Sequence, residues 1–271
     1  MSKNLSMPAP ATPQMIVAFD IGKKNFAFVV EELVPIDVYK KLPIVDKKNR
    51  YIKSGDPDLI GTPTPEFTKT LEQLYQLNKI ILVSNNNLTN CAATTTTSTQ
   101  EVGGDTTSRQ QKQTAHSLDE TIFINMYKVL DRYSAIWDKH PIILIEKQMS
   151  FGTGKQNTMA MKLAQHCYSY FIYKYRGKVE LMEFPATKKT QLLGAPKHFG
   201  TITKVFKNGK SRDIKDNRKK WSARVAIDIL TKRADQTSLD LLEGRHERKQ
   251  QQDDLADCLL MCEAFCLERF I

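Results

Sequence analysis

Two short apolar runs, each ending on an acidic residue, constrain the fold of this chain more than any other feature. Residues 15–19 read Met-Ile-Val-Ala-Phe before Asp20, and residues 142–145 read Ile-Ile-Leu-Ile before Glu146. Apolar runs of this length, bounded by turn signals, are typical of buried strands. An acid directly after a buried strand is expected at the rim of a sheet, where the active sites of α/β folds collect. The sequence therefore predicts a sheet with two carboxylates at its rim.

The segments around these runs predict an α/β fold with one mixed sheet flanked by helices. Alternating side chains over residues 25–30 predict a second strand antiparallel to the first, and a third is expected between Leu33 and Ile52. Residues 68–83 have helical spacing and then an apolar end, so helix and strand both stay open there. A further strand is predicted over 179–184, and helices over 118–138, 156–175, 221–230 and 252–270. Strands first, then alternating helices and strands, are typical of this fold class.

Residues 15–271 are predicted to form a single domain, because a chain of 271 residues buries one sizeable core. Residues 1–14 are rich in Pro and Ala and are interpreted as a disordered tail. Residues 85–113 combine Asn, Thr, Gly and Gln with almost no large apolar side chain, which predicts a flexible insertion. A partner-binding arm is the alternative interpretation of its Thr-rich tract.

The cellular compartment of the protein is predicted from its lack of targeting and membrane-spanning sequences and from its cysteines. The first residues have neither the apolar region of a secretory signal nor the Arg-rich character of a mitochondrial presequence. No apolar run approaches the ~18 residues that span a membrane. Cys258, Cys262 and Cys266 are four apart, which predicts reduced thiols on the buried face of a helix. We therefore expect an intracellular protein without a membrane partner.

The positive charge of the chain is concentrated in one segment. The chain has 40 basic and 30 acidic residues, and residues 186–220 alone contain eleven basic and two acidic ones. A solvated surface normally mixes both signs, so this segment predicts a mobile loop that contacts nucleic-acid phosphates. A basic surface loop without function is the alternative. The candidate DNA contacts are Lys188, Lys189, Lys204, Lys207, Lys210, Arg212, Lys219 and Lys220.

Two acids near the C-terminus complete a set of four carboxylates. Asp254 and Asp257 are three apart on a predicted helix and so share one face. Hydrolysis of a phosphodiester by a pair of hard cations needs oxygen ligands that converge from several elements. Asp20, Glu146, Asp254 and Asp257 are therefore the candidate catalytic residues and the candidate ligands of Mg²⁺, with Mn²⁺ as a substitute. Acids at a helix start can also be simple caps, and Asp253 is interpreted as one.

Three motifs in this order resemble those of the RuvC-like Holliday junction resolvases, in the branch found in poxviruses, other large DNA viruses and fungal mitochondria. They are D-I-G-K-K-N at 20–25, I-E-K-Q at 145–148 and D-D-L-A-D at 253–257, with F-P-A-T-K at 184–188 after the intervening strand. The resemblance spans Met15 to Phe265. The chain departs from viral relatives of ordinary length in the insertion at 85–113.

The resemblance implies a ribonuclease-H-like fold, a homodimer and paired Mg²⁺-dependent nicks across a four-way DNA junction. It places the metal ligands at the four acids named above. It implies a virus-infected cell as the site of action, with a fungal mitochondrion as the alternative. Gln148 and Lys155, just past the second acidic strand, are further candidate contacts to DNA near the branch point.

Other functions stay open at this point. A related nuclease that cuts flaps or RNA–DNA hybrids would share every feature above. A DNA-binding module without catalysis would not need the complete set of acids. Residues 20–22 also resemble the first phosphate loop of the actin and sugar-kinase ATPases, with F-G-T-G at 151–154 as a second loop. That loop should open with an Asp on a strand, whereas here Glu146 lies five residues earlier.

Overall fold

The structure is a computed structural model of the 271-residue chain. It describes residues 14–89, 118–148, 158–205, 211–242 and 249–271. Residues 1–13 of the predicted tail and residues 90–113 of the predicted insertion lie outside these ranges.

Five strands form a mixed sheet with β1 at its centre. The strands, in chain order, are β1 (Met15–Ile21), β2 (Phe26–Glu32), β3 (Lys79–Asn86), β4 (Ile142–Lys147) and β5 (Glu180–Pro185). Their order in the sheet is β3-β2-β1-β4-β5. The pairs β1–β2 and β2–β3 are antiparallel, whereas β4 runs parallel to β1 and β5 parallel to β4. The predicted α/β class with one mixed sheet is confirmed, and the arrangement is compatible with a ribonuclease-H-like fold.

Helices flank the sheet and a small ribbon follows it. The helices are α1 (Ile36–Tyr39), α2 (Pro65–Leu74), α3 (Glu120–Arg132), α4 (Ser134–Trp137), α5 (Thr158–Tyr175), α6 (Ala186–Leu192), α7 (Arg218–Lys232), α8 (Gln236–Leu242) and α9 (Lys249–Phe270). An antiparallel ribbon of β6 (Thr201–Val205) and β7 (Ser211–Lys215) separates α6 from α7. Among the described residues, no helix is long and apolar enough to cross a membrane.

Both faces of β1 and β4 are buried, each under a different set of helices. Even-numbered residues such as Ile16 and Leu144 belong to the core that contains α9. Odd-numbered residues such as Phe19 and Ile145 belong to the core that contains α3 and α5. Since side chains alternate along a strand, burial on both faces requires an apolar residue at every position. This requirement explains the two uninterrupted apolar runs.

The connection between β2 and β3 differs from its prediction. No strand forms between Leu33 and Ile52; a short helix, α1, lies there, and Tyr51 makes an isolated bridge to Pro63 farther along the connection. The prolines at 35 and 43 lack an amide hydrogen, which disfavours a paired strand in this segment. Residues 68–83 contain both structures that the sequence left open, because α2 ends at Leu74 and β3 begins at Lys79.

Two boundaries near the predicted insertion are also corrected. The insertion was predicted to begin at residue 85, but β3 continues to Asn86 and Leu88 is fully buried. The Leu88 carbonyl accepts a hydrogen bond from the Asn125 side chain at 2.8 Å, which ties this segment to α3. The helix predicted over 118–138 is two helices, because the backbone of Tyr133 leaves helical geometry with φ −104° and ψ 18°.

The basic segment at 186–220 is not one mobile loop, as predicted, but three elements in sequence. It contains α6, the β6–β7 ribbon and the first turn of α7. The side chain of Asn217 caps α7 by accepting a hydrogen bond from the Lys220 amide at 3.1 Å, so the helix begins at Arg218 and not at 221. The sequence analysis did not predict α8. High charge obscured the secondary structure of this segment, because its apolar residues are too few to show a period.

The cysteines of α9 are placed as predicted. Cys258, Cys262 and Cys266 are fully buried and none of them forms a disulfide. Burial raises the pKa of all three thiols well above the ordinary range, so they stay protonated.

Arg233 links two buried carboxylates on the α9 side of the sheet. Its guanidinium donates to Glu31 at 2.7 Å, to Glu263, and to the Tyr75 carbonyl at 2.9 Å. Both glutamate side chains are fully buried. Burial raises the pKa of Glu263 in spite of the nearby arginine. Arg233 therefore joins β2, the end of α7 and α9 through a charge network that water does not reach.

We expect Arg233→Met to lower the free energy of unfolding by about 3–5 kcal/mol, because it leaves two buried carboxylates without a counter-ion. Urea unfolding followed by circular dichroism measures the change. The control is Lys40→Met, which breaks the exposed Lys40–Asp37 pair and should leave the free energy of unfolding essentially unchanged. Equal losses in the two variants would contradict the importance of the buried network.

Candidate active site

Asp20 and Glu146 lie side by side at the carboxyl ends of β1 and β4. The two strands are parallel and Phe19 pairs with Ile145, so the acids are neighbours one residue further along. Both have even numbers, so both face the side of the sheet that α9 covers. The apolar runs therefore determine not only that the acids lie at the rim but also on which face they lie.

Helix α9 brings Asp254 and Asp257 to the same face. Its buried side, which includes Leu255, Ala256 and Cys258, packs on the sheet. The Cys258 thiol donates to the carbonyl of Ala27, the residue that pairs with Asp20 across β1 and β2. This contact holds α9 beside Asp20. The negative charges of Glu146, Asp254 and Asp257 each contribute to raising the pKa of Asp20.

The interpretation of Asp253 as a helix cap is wrong. Helix α9 begins at Lys249, so Asp253 lies within the helix and not at its first turn. Its carboxylate pairs with Lys219 of α7 at 3.5 Å. The early start was hidden because residues 249–252 read Lys-Gln-Gln-Gln, a polar stretch without an apolar period.

Lys189 of α6 is the residue of this site that the sequence analysis missed. Its ammonium lies 2.7 Å from Glu146 Oε1 and 3.1 Å from Asp257 Oδ2, and its side chain is only 4% exposed. It was predicted as a DNA contact on the basis of the charge cluster, and the structure corrects this, since a buried ammonium bound to two carboxylates is not presented to a partner. Composition could not separate it from its neighbour Lys188, which pairs with Glu268 at 2.6 Å.

The pKa values of the site reflect several carboxylates that lie close together and are partly buried from water. Burial, followed by the charge of Glu146, raises the pKa of Asp20 well above its ordinary value. Burial raises the pKa of Asp254 to about 6, and it also raises that of Asp257, which Lys189 partly opposes. Burial disfavours the charged form of Lys189, but the charges of Glu146 and Asp257 outweigh it and raise its pKa. The charge of Lys189 thus partly offsets Asp20 and Asp257, and the charge of Lys219 partly offsets Asp254.

The donor atoms of the site fit a hard divalent cation in type. All four candidate ligands are carboxylates, which Mg²⁺ and Mn²⁺ prefer and which differ from the Cys and His ligands typical of structural zinc. Asp254 Oδ2 is buried and has no hydrogen-bond partner among the residues that the structure describes, so one donor is left unsatisfied there. Across the described ranges, no three acidic, His or Cys residues are grouped closely enough to form a metal shell. Between Glu146 and Asp257 the cation is the ammonium of Lys189.

The other candidate DNA contacts fall into two groups. Gln148 follows β4 directly and is half-buried, and Lys219 and Lys220 lie in the first turn of α7, with the Lys219 side chain 63% exposed. Lys204 and Arg212 occupy paired positions of the β6–β7 ribbon. Lys155, Lys207 and Lys210 lie outside the described residues, as does the proposed second phosphate loop at 151–154. The contacts of all these residues with DNA stay predictions.

Comparison with known proteins gives viral relatives and no activity. No family model matches the chain. It is similar to uncharacterized protein 97L of Invertebrate iridescent virus 3, with 28% identity over 263 residues that cover 93% of this chain and 98% of that protein. It is also similar to uncharacterized protein 170L of Invertebrate iridescent virus 6, with 27% identity over 256 residues that cover 92% of this chain and 87% of that protein. No solved structure matches.

We expect Asp254→Asn to stabilise the protein in EDTA, because the wild-type carboxylate is costly to charge in the folded state. The pKa of Asp254 is raised to about 6, so this cost is absent below the ordinary value of 3.8 and complete above pH 6. The gain in unfolding free energy should therefore grow between pH 4 and pH 7, to about 1 kcal/mol once solvent screening is discounted. Urea unfolding at several pH values measures it.

Asp253→Asn is the matched control, because Asp253 is paired with Lys219 and the change removes that pair. It should give no such pH-dependent gain. If Asp254→Asn were destabilising at pH 7 in EDTA, the unsatisfied carboxylate would not be the strained group that the geometry indicates.

Proposed function

We propose that this chain is a divalent-cation-dependent DNA endonuclease. The observation that carries the proposal is the convergence of four carboxylates from β1, β4 and α9 on one face of the sheet, beside the buried Lys189. Hydrolytic sites that use two hard cations need this kind of ligand set, drawn from several elements and held by a rigid core. A structural role would be better served by pairing or replacing the aspartates, because burial disfavours the charged forms of Asp20, Asp254 and Asp257.

The residues of the site have separable roles. Asp20, Glu146, Asp254 and Asp257 would hold the cation, which when bound activates water and stabilises charge on the leaving oxygen. Lys189 forms ion pairs with Glu146 and Asp257, and its charge opposes the rise that burial causes in the pKa of Asp257. A hydrogen bond with Ser222 of α7 further favours the carboxylate of Asp257. The unsatisfied Asp254 Oδ2 is the donor most available to a cation.

The proposed substrate is DNA, because the site lies next to elements with a large excess of positive charge. Lys219, at the start of α7, pairs with Asp253 in the helix that carries two of the acids. The β6–β7 ribbon, whose sequence contains further cations, joins α6 to α7. The site is therefore flanked on the α7 side by basic residues suited to phosphate groups.

The narrower proposal is cleavage of four-way junctions by a homodimer in virus-infected cells. It rests on the resemblance of residues 20–25, 145–148 and 253–257 to RuvC-like resolvases, and the viral relatives favour the viral setting over the mitochondrial one. Two scissile phosphates must be held at once, and a two-fold dimer with one site per subunit matches the near-symmetry of such a junction. Paired nicks on opposing strands are the expected product.

We expect the protein to cut a four-way junction in Mg²⁺ faster than a flap or an RNA–DNA hybrid of the same sequence. Asp20→Asn, Glu146→Gln and Asp257→Asn should each abolish cleavage while binding of the junction is retained or tightened, because each change removes a metal ligand and some repulsion of phosphate. Product mapping on denaturing gels and binding by fluorescence anisotropy measure the two effects.

Glu146→Gln, purified identically, controls for contaminating nuclease. Preferred cleavage of the hybrid or the flap would retain the nuclease and replace the junction as substrate. A monomer in light scattering that nicks strands independently would reject the resolvase but not the nuclease. Near-normal rates in any carboxylate variant would remove that residue from the ligand set, and no cleavage of any substrate would reject the nuclease itself.

We expect replacement of Lys207, Lys210 and Arg212 by Ala to weaken DNA binding without lowering the cleavage rate at saturating protein. Arg212 belongs to β7, and Lys207 and Lys210 fall between β6 and β7 in the sequence, away from the acids. Each lost phosphate contact should reduce the slope of log affinity against log salt by about one unit. Titrations at several salt concentrations measure the slope, and an unchanged slope would show that the ribbon does not contact the backbone.

A further inference from the structure

The helix that carries Lys189 is too short to be stable by itself. Helix α6 has seven residues, and isolated helices shorter than about 12 residues are marginal in water. Lys188 ties the helix to α9 through its pair with Glu268, whereas the 3.1 Å bond from the Leu193 amide to the Lys189 carbonyl lies within the last turn of α6 itself. The position of the Lys189 ammonium therefore depends on what surrounds α6.

The long connection between β2 and α2 contacts the C-terminal end of α6 at several points. The Tyr51 hydroxyl donates to the Leu192 carbonyl, the last residue of α6, at 2.7 Å. The Lys197 amide donates to the Ile60 carbonyl at 2.9 Å. The connection thus satisfies a carbonyl that a helix end leaves unpaired and holds the chain just beyond it.

Gly194 and Pro63 meet too closely to admit a side chain. Gly194 has φ +79°, and a Cβ atom built on it would lie 2.4 Å from Pro63 Cγ and 2.6 Å from Pro63 Cδ. Glycine is the residue that tolerates both the left-handed backbone and the contact. The turn that ends α6 is therefore packed directly against the connection.

The connection is itself anchored in the core. The Tyr51 ring packs edge-to-face on the ring of Phe67, a fully buried residue of α2. The Arg50 guanidinium lies over the ring of Phe67 as well. Backbone hydrogen bonds close the segment on itself, from Ile52 to Thr62 and from Thr64 to Arg50. A rigid route thus runs from the core through residues 50–64 to the end of α6.

We propose that residues 50–64 form a brace that positions α6, and through it holds the Lys189 ammonium against Glu146 and Asp257. Lys189 is the catalytic-site residue and the brace residues are positioning residues. The role of the brace in cleavage rests on the proposed nuclease function. Its role in holding Lys189 does not, and it is measured without activity.

The first test compares two variants that each remove one hydroxyl-to-carbonyl hydrogen bond from the same connection. Tyr51→Phe removes the contact with α6, whereas Thr70→Val removes a 2.8 Å bond from α2 to the Pro43 carbonyl, away from α6. The readout is acylation of Lys189 by an amine-reactive ester, quantified by peptide mass spectrometry. Tyr51→Phe should raise the rate about fivefold, and Thr70→Val should leave it unchanged.

The second test uses two glycines with the same backbone angle. Gly194→Ala and Gly177→Ala both place Ala at φ +79°, but a Cβ atom at Gly177 has nothing within 4 Å. The two substitutions therefore cause the same backbone strain and differ only in the contact with Pro63. Gly194→Ala should expose Lys189 to acylation about tenfold more than Gly177→Ala does, and adding Pro63→Ala should restore part of the protection.

These outcomes separate the brace from the nuclease. Equal acylation of Lys189 in Tyr51→Phe and Thr70→Val, together with equal acylation in Gly194→Ala and Gly177→Ala, would overturn the brace whether or not the protein cuts DNA. Selective acylation in a protein that cuts nothing would support the brace and reject the nuclease. If the protein cuts junctions, Tyr51→Phe should lower kcat with KM unchanged, whereas Thr70→Val should alter neither.

Discussion

The packing of α9 across one face of β1 and β4 is the contact on which both the core and the candidate site depend. The same helix buries Leu255 and Leu259 in the core and carries Asp254 and Asp257 at the rim. Because side chains of a strand alternate, the acids that end β1 and β4 face this helix and not α5. The Cys258 contact with Ala27 and the pair of Arg233 with Glu263 hold the helix at two positions along this interface. A displacement of α9 would therefore disturb stability and the site together.

The site is costly to the folded protein. Burial and mutual repulsion raise the pKa values of Asp20, Asp254 and Asp257, and one oxygen of Asp254 has no hydrogen-bond partner among the described residues. The charges of Lys189 and Lys219 partly offset this repulsion. Groups that cost stability without contributing to packing are common at functional sites, where a ligand supplies the missing interaction. A divalent cation would supply the missing interaction here. Lys189 would then help to orient Glu146 and Asp257, the two acids that it contacts.

The basic segment between β5 and α7 has three different relations to the site. Helix α6 directs Lys189 inward to the acids, whereas its neighbour Lys188 is paired with α9. The β6–β7 ribbon extends between the helices, and the first turn of α7 places Lys219 beside Asp253. The basic residues of this segment therefore have three roles: Lys189 belongs to the site, Lys188 forms an ion pair with α9, and the ribbon and the first turn of α7 carry positive charge suited to phosphate. Sequence distance does not report this division, because it depends on which way each element faces.

The sequence by itself determined the strands β1, β2, β4 and β5, the α/β class and the four acids, because apolar runs, alternation and helical spacing are local signals. It misplaced the third strand, the start of α9 and the structure of residues 186–220, where polar or proline-containing segments show no period. Only the tertiary structure decided that Lys189 of this basic segment lies buried among the acids. That choice depends on the short α6 being held between α9 and residues 50–64, a set of contacts between residues far apart in the chain, which no local pattern encodes.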